Sequence, residues 1–251
     1  MAALQGGAGV SGNRRTEDSF FAVLAIAMTF VVFVGFSRTF FLRAWFPEAV
    51  ARAPGEAIFY VHGALFSAWM ALFIAQILLI RSRRLEIHRR LGAFGGALAV
   101  AMVVTGVIGA LVAARRPGGF FGVPLPPQRF LVVPLTDMLM FGSLVTLAIC
   151  WRARSASHKR LMVIASAILL TPAVARIQTA VTGAGGPILG FVVADLFVLA
   201  LAFWDWRTLR RIHPVTLWAG LLLMVSQPLR LWFAGTHAWQ QVAAYLMGAP
   251  S

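Results

Sequence analysis

Residues 57–80 read AIFYVHGALFSAWMALFIAQILLI, a run of 24 residues without Asp, Glu, Lys or Arg. As an α-helix this run is about 36 Å long, enough to cross the roughly 30 Å hydrocarbon core of a bilayer. Six more apolar runs flank it, at 20–42, 91–114, 130–151, 160–182, 187–204 and 215–234. The sixth is short, and the seventh is interrupted by Ser226, Gln227, Pro228 and Arg230. Period-two alternation is absent, which argues against an outer-membrane barrel. The fold class expected is all-α, an integral membrane bundle of seven transmembrane helices.

The whole composition agrees. The chain of 251 residues is 60% hydrophobic and 12% charged, about half the charge of soluble domains. No connection exceeds about 16 residues, so no soluble domain is expected. Residues 1–19 form a polar, Gly-rich tail, 20–235 the membrane domain, and 236–251 a short interfacial helix and tail. Thr236 is the expected cap of that helix, with Trp239, Val242, Ala243 and Leu246 along it. The connection 43–56 starts with a short helix on the membrane, and 115–129 is too rich in Pro and Gly to be regular helix. One cysteine, Cys150, rules out a disulfide framework.

The net charge of +14 suits a nucleic-acid partner, but its distribution serves topology instead. The N-terminus and the loops 81–90, 152–160 and 205–214 carry 14 of the 22 Lys/Arg, and the opposite side carries five. Short cytoplasmic loops are enriched in Lys and Arg. The N-terminus is therefore expected in the cytoplasm and the C-terminus outside. The partners expected are the lipid bilayer and anionic lipids at the cytoplasmic face, with no nucleic acid.

Charge inside the spans is the main functional clue. Asp137, Arg176, Asp195 and Arg230 fall in spans four to seven, and Arg38 and His62 in spans one and two. Counted along the helices, all lie roughly 6–12 Å below the outer boundary. Charges in hydrocarbon cost several kcal/mol each unless paired or hydrated, so they usually face a bundle interior and mark function. No comparable charge is expected in the inner half. Pro134, Pro172 and Pro228 precede Asp137, Arg176 and Arg230 closely, and each removes a helical hydrogen bond. Three broken helices around one polar pocket are expected, with Thr136, Gln178, Ser226 and Gln227 as neutral partners. Arg176 would pair with Asp137 or Asp195, and one arginine would be left over for a carboxylate, phosphate or lipid head group. The structural alternative is that these pairs only pin helices together.

Five histidines raise a second chemistry. His88, His158 and His213 share the cytoplasmic ends of spans three, five and seven, while His62 and His237 lie toward the outside. Haem b, copper and zinc all use imidazole. Each inner histidine stands within two residues of Arg or Lys, which suits lipid phosphate as well. Span seven has no lysine for a retinal Schiff base, and no HExxH, glycine-rich phosphate loop or serine triad spacing occurs.

His62-Gly63-Ala64 running to Trp69 and Gln76, His88-Arg89-Arg90-Leu91-Gly92, His158-Lys159-Arg160-Leu161-Met162, His213-Pro214-Val215-Thr216-Leu217-Trp218 and Ser226-Gln227-Pro228-Leu229-Arg230 together form a pattern. It resembles a family of small uncharacterised multi-pass proteins of bacterial inner membranes, over roughly residues 30–235. The resemblance implies the bacterial inner membrane, with the C-terminus periplasmic, and no activity. A looser likeness, through the histidines and the His-Arg-x-Leu opening, is to haem-bearing cytochromes of the b561 kind. In those the histidines are paired within facing helices, whereas here they lie mainly at the interfaces.

The leading expectation is a pocket in the outer leaflet that binds a small anionic molecule or lipid head group, as in a transporter or sensor. Arg176 and Arg230 would hold the anion, Asp137 and Asp195 would fix those arginines or relay protons, His62 would line the mouth, and Gln227 and Arg38 would complete the ligand-binding set. The alternatives are a membrane redox protein using haem b or quinone, with His88, His158 and His213 as ligands, and an accessory subunit without a ligand.

Overall fold

A computed structural model describes residues 5–52 and 55–248. Among these every regular element is helical. The order is α1 (Gln5–Phe36), a π-helical turn (Ser37–Phe41), a 3-10 turn (Arg43–Trp45), α2 (Pro47–Arg52), α3 (Ala57–Arg81) and α4 (Leu85–Arg115). There follow α5 (Pro127–Phe130), α6 (Val132–Cys150), α7 (Ser155–Ile168), α8 (Thr171–Thr182), α9 (Pro187–Leu209), α10 (Pro214–Ala234) and α11 (His237–Met247). Seven stretches are long and apolar enough to cross a membrane: Thr16–Phe41, Ala57–Arg81, Leu85–Arg115, Pro127–Cys150, Ser155–Thr182, Pro187–Leu209 and Pro214–Ala234. They match the seven apolar runs of the sequence, as a multi-pass membrane protein requires. Residues 1–4 of the tail expected over 1–19, and 249–251 of the C-terminal segment, lie outside the described residues.

The outside of the bundle is greasy. Ile26, Phe30, Val100, Leu196, Phe203 and Leu222 are all exposed on span surfaces. Water would not tolerate so continuous an apolar exterior, but lipid tails accept it.

The fifth span, α7 and α8 in series, is the centre. Residues 163–171 are all buried, and the span packs against the first, fourth, sixth and seventh. Trp69 of α3 reaches it. The indole is 2% exposed, donates from Nε1 to Ser166 Oγ at 3.2 Å and meets Phe141 edge-on. A buried indole N–H needs such a partner.

This central span is broken between Ile168 and Thr171. Pro172 has no N–H to give the Ile168 carbonyl, and the Thr171 hydroxyl approaches that carbonyl instead. Leu169 and Leu170 close tighter turns onto Ser166 and Ala167. Two glycines let neighbours press against the break. A Cβ at Gly35 would fall on the Ala173 backbone, and one at Gly190 on that of Thr171.

The other two prolines do not break their helices, contrary to the sequence expectation. Pro134 is the third residue of α6, where N–H groups have no intrahelical partner to lose. Pro228 lies inside α10, which runs on to Ala234.

We call the end where α3 ends and α4 begins the basic face, and the other end the far face. At the far face α11 is capped by Thr236, whose Oγ1 accepts from Trp239 N. Trp239 and Ala243 are buried under it, and Trp239 Nε1 donates to the Gln128 carbonyl at 2.8 Å. The Pro/Gly-rich connection 116–126 folds back over the bundle, and the Gly122 carbonyl accepts from Gly185 N at 2.6 Å.

Candidate functional site

Beneath that connection lies a partly open cavity of about 220 Å³, walled mainly by the first five spans and bordered by Phe120, Phe121 and Val123. Its lining is mostly apolar and strongly aromatic, with Phe36, Phe40, Phe59 and Phe66 among the walls and Met70 and Leu169 deeper in. The polar side chains at its surface include Thr39, His62, Asp137 and Arg176.

Each is placed there by a local feature. Thr39 sits in the π-helical turn that ends the first span, a wide turn often found at functional sites. His62 is on α3 beside Gly63, which lets Phe40 approach. Asp137 is on α6, one turn below its start. Arg176 rises from α8, a little over a turn beyond the break.

Arg176 is the distinctive group. Its guanidinium lies over Phe36 at 4.4 Å and near Phe121 at 5.5 Å from the ring centroids. Its Nε is buried without a hydrogen-bond partner. No carboxylate among the described residues forms an ion pair with it. Ring faces stabilise a cation, but they do not neutralise it. Thr39 Oγ1 and His62 Nδ1 are likewise buried without partners. Three cavity-lining residues thus carry unmet hydrogen-bonding capacity in a pocket lined mostly by apolar side chains.

Arg230, whose Nε is also buried without a hydrogen-bond partner, differs from Arg176 in having a carboxylate. Arg230 Nη1 donates to Asp137 Oδ1 at 2.5 Å and to Thr136 Oγ1 at 3.2 Å, and its guanidinium covers Phe191. Gln227 Nε2 donates to Asp195 Oδ1 at 2.8 Å. Asp137 therefore pairs with Arg230, Asp195 takes a neutral amide, and Arg176 is the arginine left over.

The expected single chamber is accordingly smaller than its six members. His62, Asp137 and Arg176 line the cavity, Arg230 stands behind Asp137, and Asp195 with Gln227 bridges α9 and α10. Arg38 is exposed and stacks on Phe46 at 5.0 Å. Counting residues along a helix gives depth, but the direction a side chain faces depends on helical phase. Of the neutral candidates, Gln178 accepts from Gly186 N and Ser226 donates to the Leu223 carbonyl; neither lines the cavity.

A second correction concerns the basic end. Arg160 and Asp205, which the sequence reading assigned to loops, are buried at 2% and 0% exposure. The reason is helix length: α7 begins at Ser155 and α9 runs to Leu209, so both fall inside spans. Asp205 pairs with Arg160 through Nε and Nη2. It also accepts from Thr216 Oγ1 at 2.6 Å and His213 N at 3.2 Å. This fully bonded network ties spans five, six and seven.

The inner histidines have separate surroundings. His88 and His158 are near enough to interact electrostatically, and His158 Nδ1 meets the Ala148 carbonyl at 2.8 Å. His213 instead caps α10, accepting from Val215 N at 3.1 Å. Burial, and then the nearby Arg160 cation, pushes His213 below its ordinary value. Among the described residues no group of three or more His, Cys, Asp or Glu could hold a metal ion. His62 is the histidine that lines the cavity.

Sequence reading did not single out Phe36, Thr39 or Phe121 for the site. Phenylalanine occurs 20 times in this chain, so no spacing marks these rings. No family model, no curated protein and no solved structure matches this chain.

Proposed function

We propose that this protein binds a small anionic molecule in the cavity beneath the far face, with Arg176 as its counter-charge. The observation that carries the reading is an un-neutralised guanidinium held against two aromatic rings, with a buried Nε that has no partner. Burying a charge without a counter-ion is costly, and an arriving anion would remove much of that cost through charge-assisted hydrogen bonds. Asp137 serves in this reading to fix Arg230 rather than to meet the ligand. His62 and Thr39 offer further polar contacts at the wall.

The distribution of Lys and Arg supports a cytoplasmic basic face, with anionic lipids as its neighbours. The far face would then be periplasmic in a bacterial inner membrane. A transporter or a sensor would both use such a site. The test is a thermal-shift series on purified protein with small organic and inorganic anions. At least one anion should raise the melting temperature of the wild type and lose that effect in Arg176→Ala. If every anion acts equally on both proteins, the reading fails.

A further inference from the structure

Charge, size and shape of the cavity narrow the ligand further. We infer that the occupant is a compact apolar monocarboxylate, a single ring or short chain bearing one carboxylate, held by Arg176 at the end nearest the connection 116–126. This rests on the anion-binding reading above and assigns its chemical class.

Charge comes first. The cavity wall carries one cation without a counter-ion, Arg176, and one carboxylate, Asp137, already held by Arg230. A monoanion balances that wall. A phosphate monoester, with close to two negative charges near neutral pH, would leave one of them without a partner beside Asp137. Arginine also meets a carboxylate with two parallel hydrogen bonds.

Size comes next. A cavity of about 150 Å³ lined by aliphatic and aromatic side chains takes a benzene ring. The 220 Å³ here leaves room for a ring, its carboxylate and a short substituent.

Shape sets the orientation. Arg176 touches Phe121 of the covering connection, so the cation stands at the covered mouth. Met70 lies eight residues below His62 on α3, about 12 Å deeper, and it lines the same cavity with Leu169. The carboxylate would remain at the mouth while the apolar body fills this methionine- and phenylalanine-walled floor, which offers dispersion contact.

The experiment measures binding of benzoate, benzamide and phenylphosphate to the full-length protein in detergent, by thermal shift and calorimetry. These probes share one ring and differ in charge. Benzoate should bind about tenfold to a hundredfold tighter than benzamide, the range expected for hydrogen bonds to a charged group. Phenylphosphate should bind no better than benzamide. The comparison is made on the wild type, so it does not depend on a variant folding. Arg176→Lys should keep part of the benzoate preference and Arg176→Gln should lose it. Equal binding of benzoate and benzamide would overturn the monocarboxylate assignment. If phenylphosphate wins and depends on Arg176, the class is wrong while the anion site stands. If no anion depends on Arg176, both fall.

Discussion

Arg230 donates to Asp137 at 2.5 Å across the interface of α6 and α10, and the pairing leaves Arg176 without a carboxylate. The two arginines look alike in sequence, each a few residues after a proline in an apolar span. Their environments separate them: one closes a helix–helix contact, the other faces a cavity. Opposite effects on stability follow.

Removing the partner of Arg230 should be severe. Arg230 is 4% exposed, and Asp137→Asn leaves its charge buried and uncompensated, an effect of about 3–5 kcal/mol. The double variant Asp137→Asn/Arg230→Gln should recover much of that loss. Equilibrium unfolding in a mild detergent measures both.

The network at the basic face should rank by what each change strands. Thr216→Val removes one hydroxyl donor to the buried Asp205 carboxylate, and a lowering of about 1.5 kcal/mol is expected for a bond to a charged acceptor. Arg160→Met strands the buried Asp205 carboxylate and should cost several times more. Similar melting temperatures for the two variants would count against the network as described.

Acid should weaken the fold through His213. Its folded value lies below the ordinary 6.5, so below that pH the unfolded chain takes the proton first. The contribution is complete above about pH 6.5 and declines as pH falls toward the lower folded value. His213→Asn retains a capping acceptor for Val215 N but cannot titrate. The melting temperature of this variant should fall less than that of the wild type between pH 7 and pH 5.

Close helix contact at the broken span predicts a steric effect. Gly190→Leu has no space beside the Thr171 backbone, and overpacking of this kind costs about 1–3 kcal/mol. The exposed neighbour Leu189→Ala, on the lipid side of α9, should change stability far less.

Much of the fold was legible because lipid imposes a simple rule: a span must be long, apolar and helical. The seven runs from Phe20 to Ala234 state this directly, and Thr236 announced the last helix through its capping chemistry. What the sequence concealed was azimuth and exact helix ends. Arg38 is exposed over Phe46, while its neighbours Thr39 and Phe40 in the same π-helical turn line the cavity. Arg160 and Asp205 resembled loop charges, since the apolar runs stop short of the true ends of α7 and α9. Pro134, Pro172 and Pro228 looked equivalent, but Pro134 sits in a first turn, where a proline costs no hydrogen bond, and Pro228 lies inside a helix that runs on to Ala234, so only Pro172 accompanies a break. The rings around Arg176 come from α1 and from the connection 116–126, far apart in the chain, and only the folded bundle brings them together.

The most direct test compares Arg176→Met with Arg230→Met, each with and without benzoate. In the absence of ligand, Arg176→Met should melt at or above the wild-type temperature, because it removes a half-buried cation that has no counter-ion, and benzoate should no longer raise that temperature. Arg230→Met should melt well below the wild type. A ligand-free Arg176→Met that melts as low as Arg230→Met, with its benzoate response intact, would show that Arg176 is a structural pin and would contradict the account.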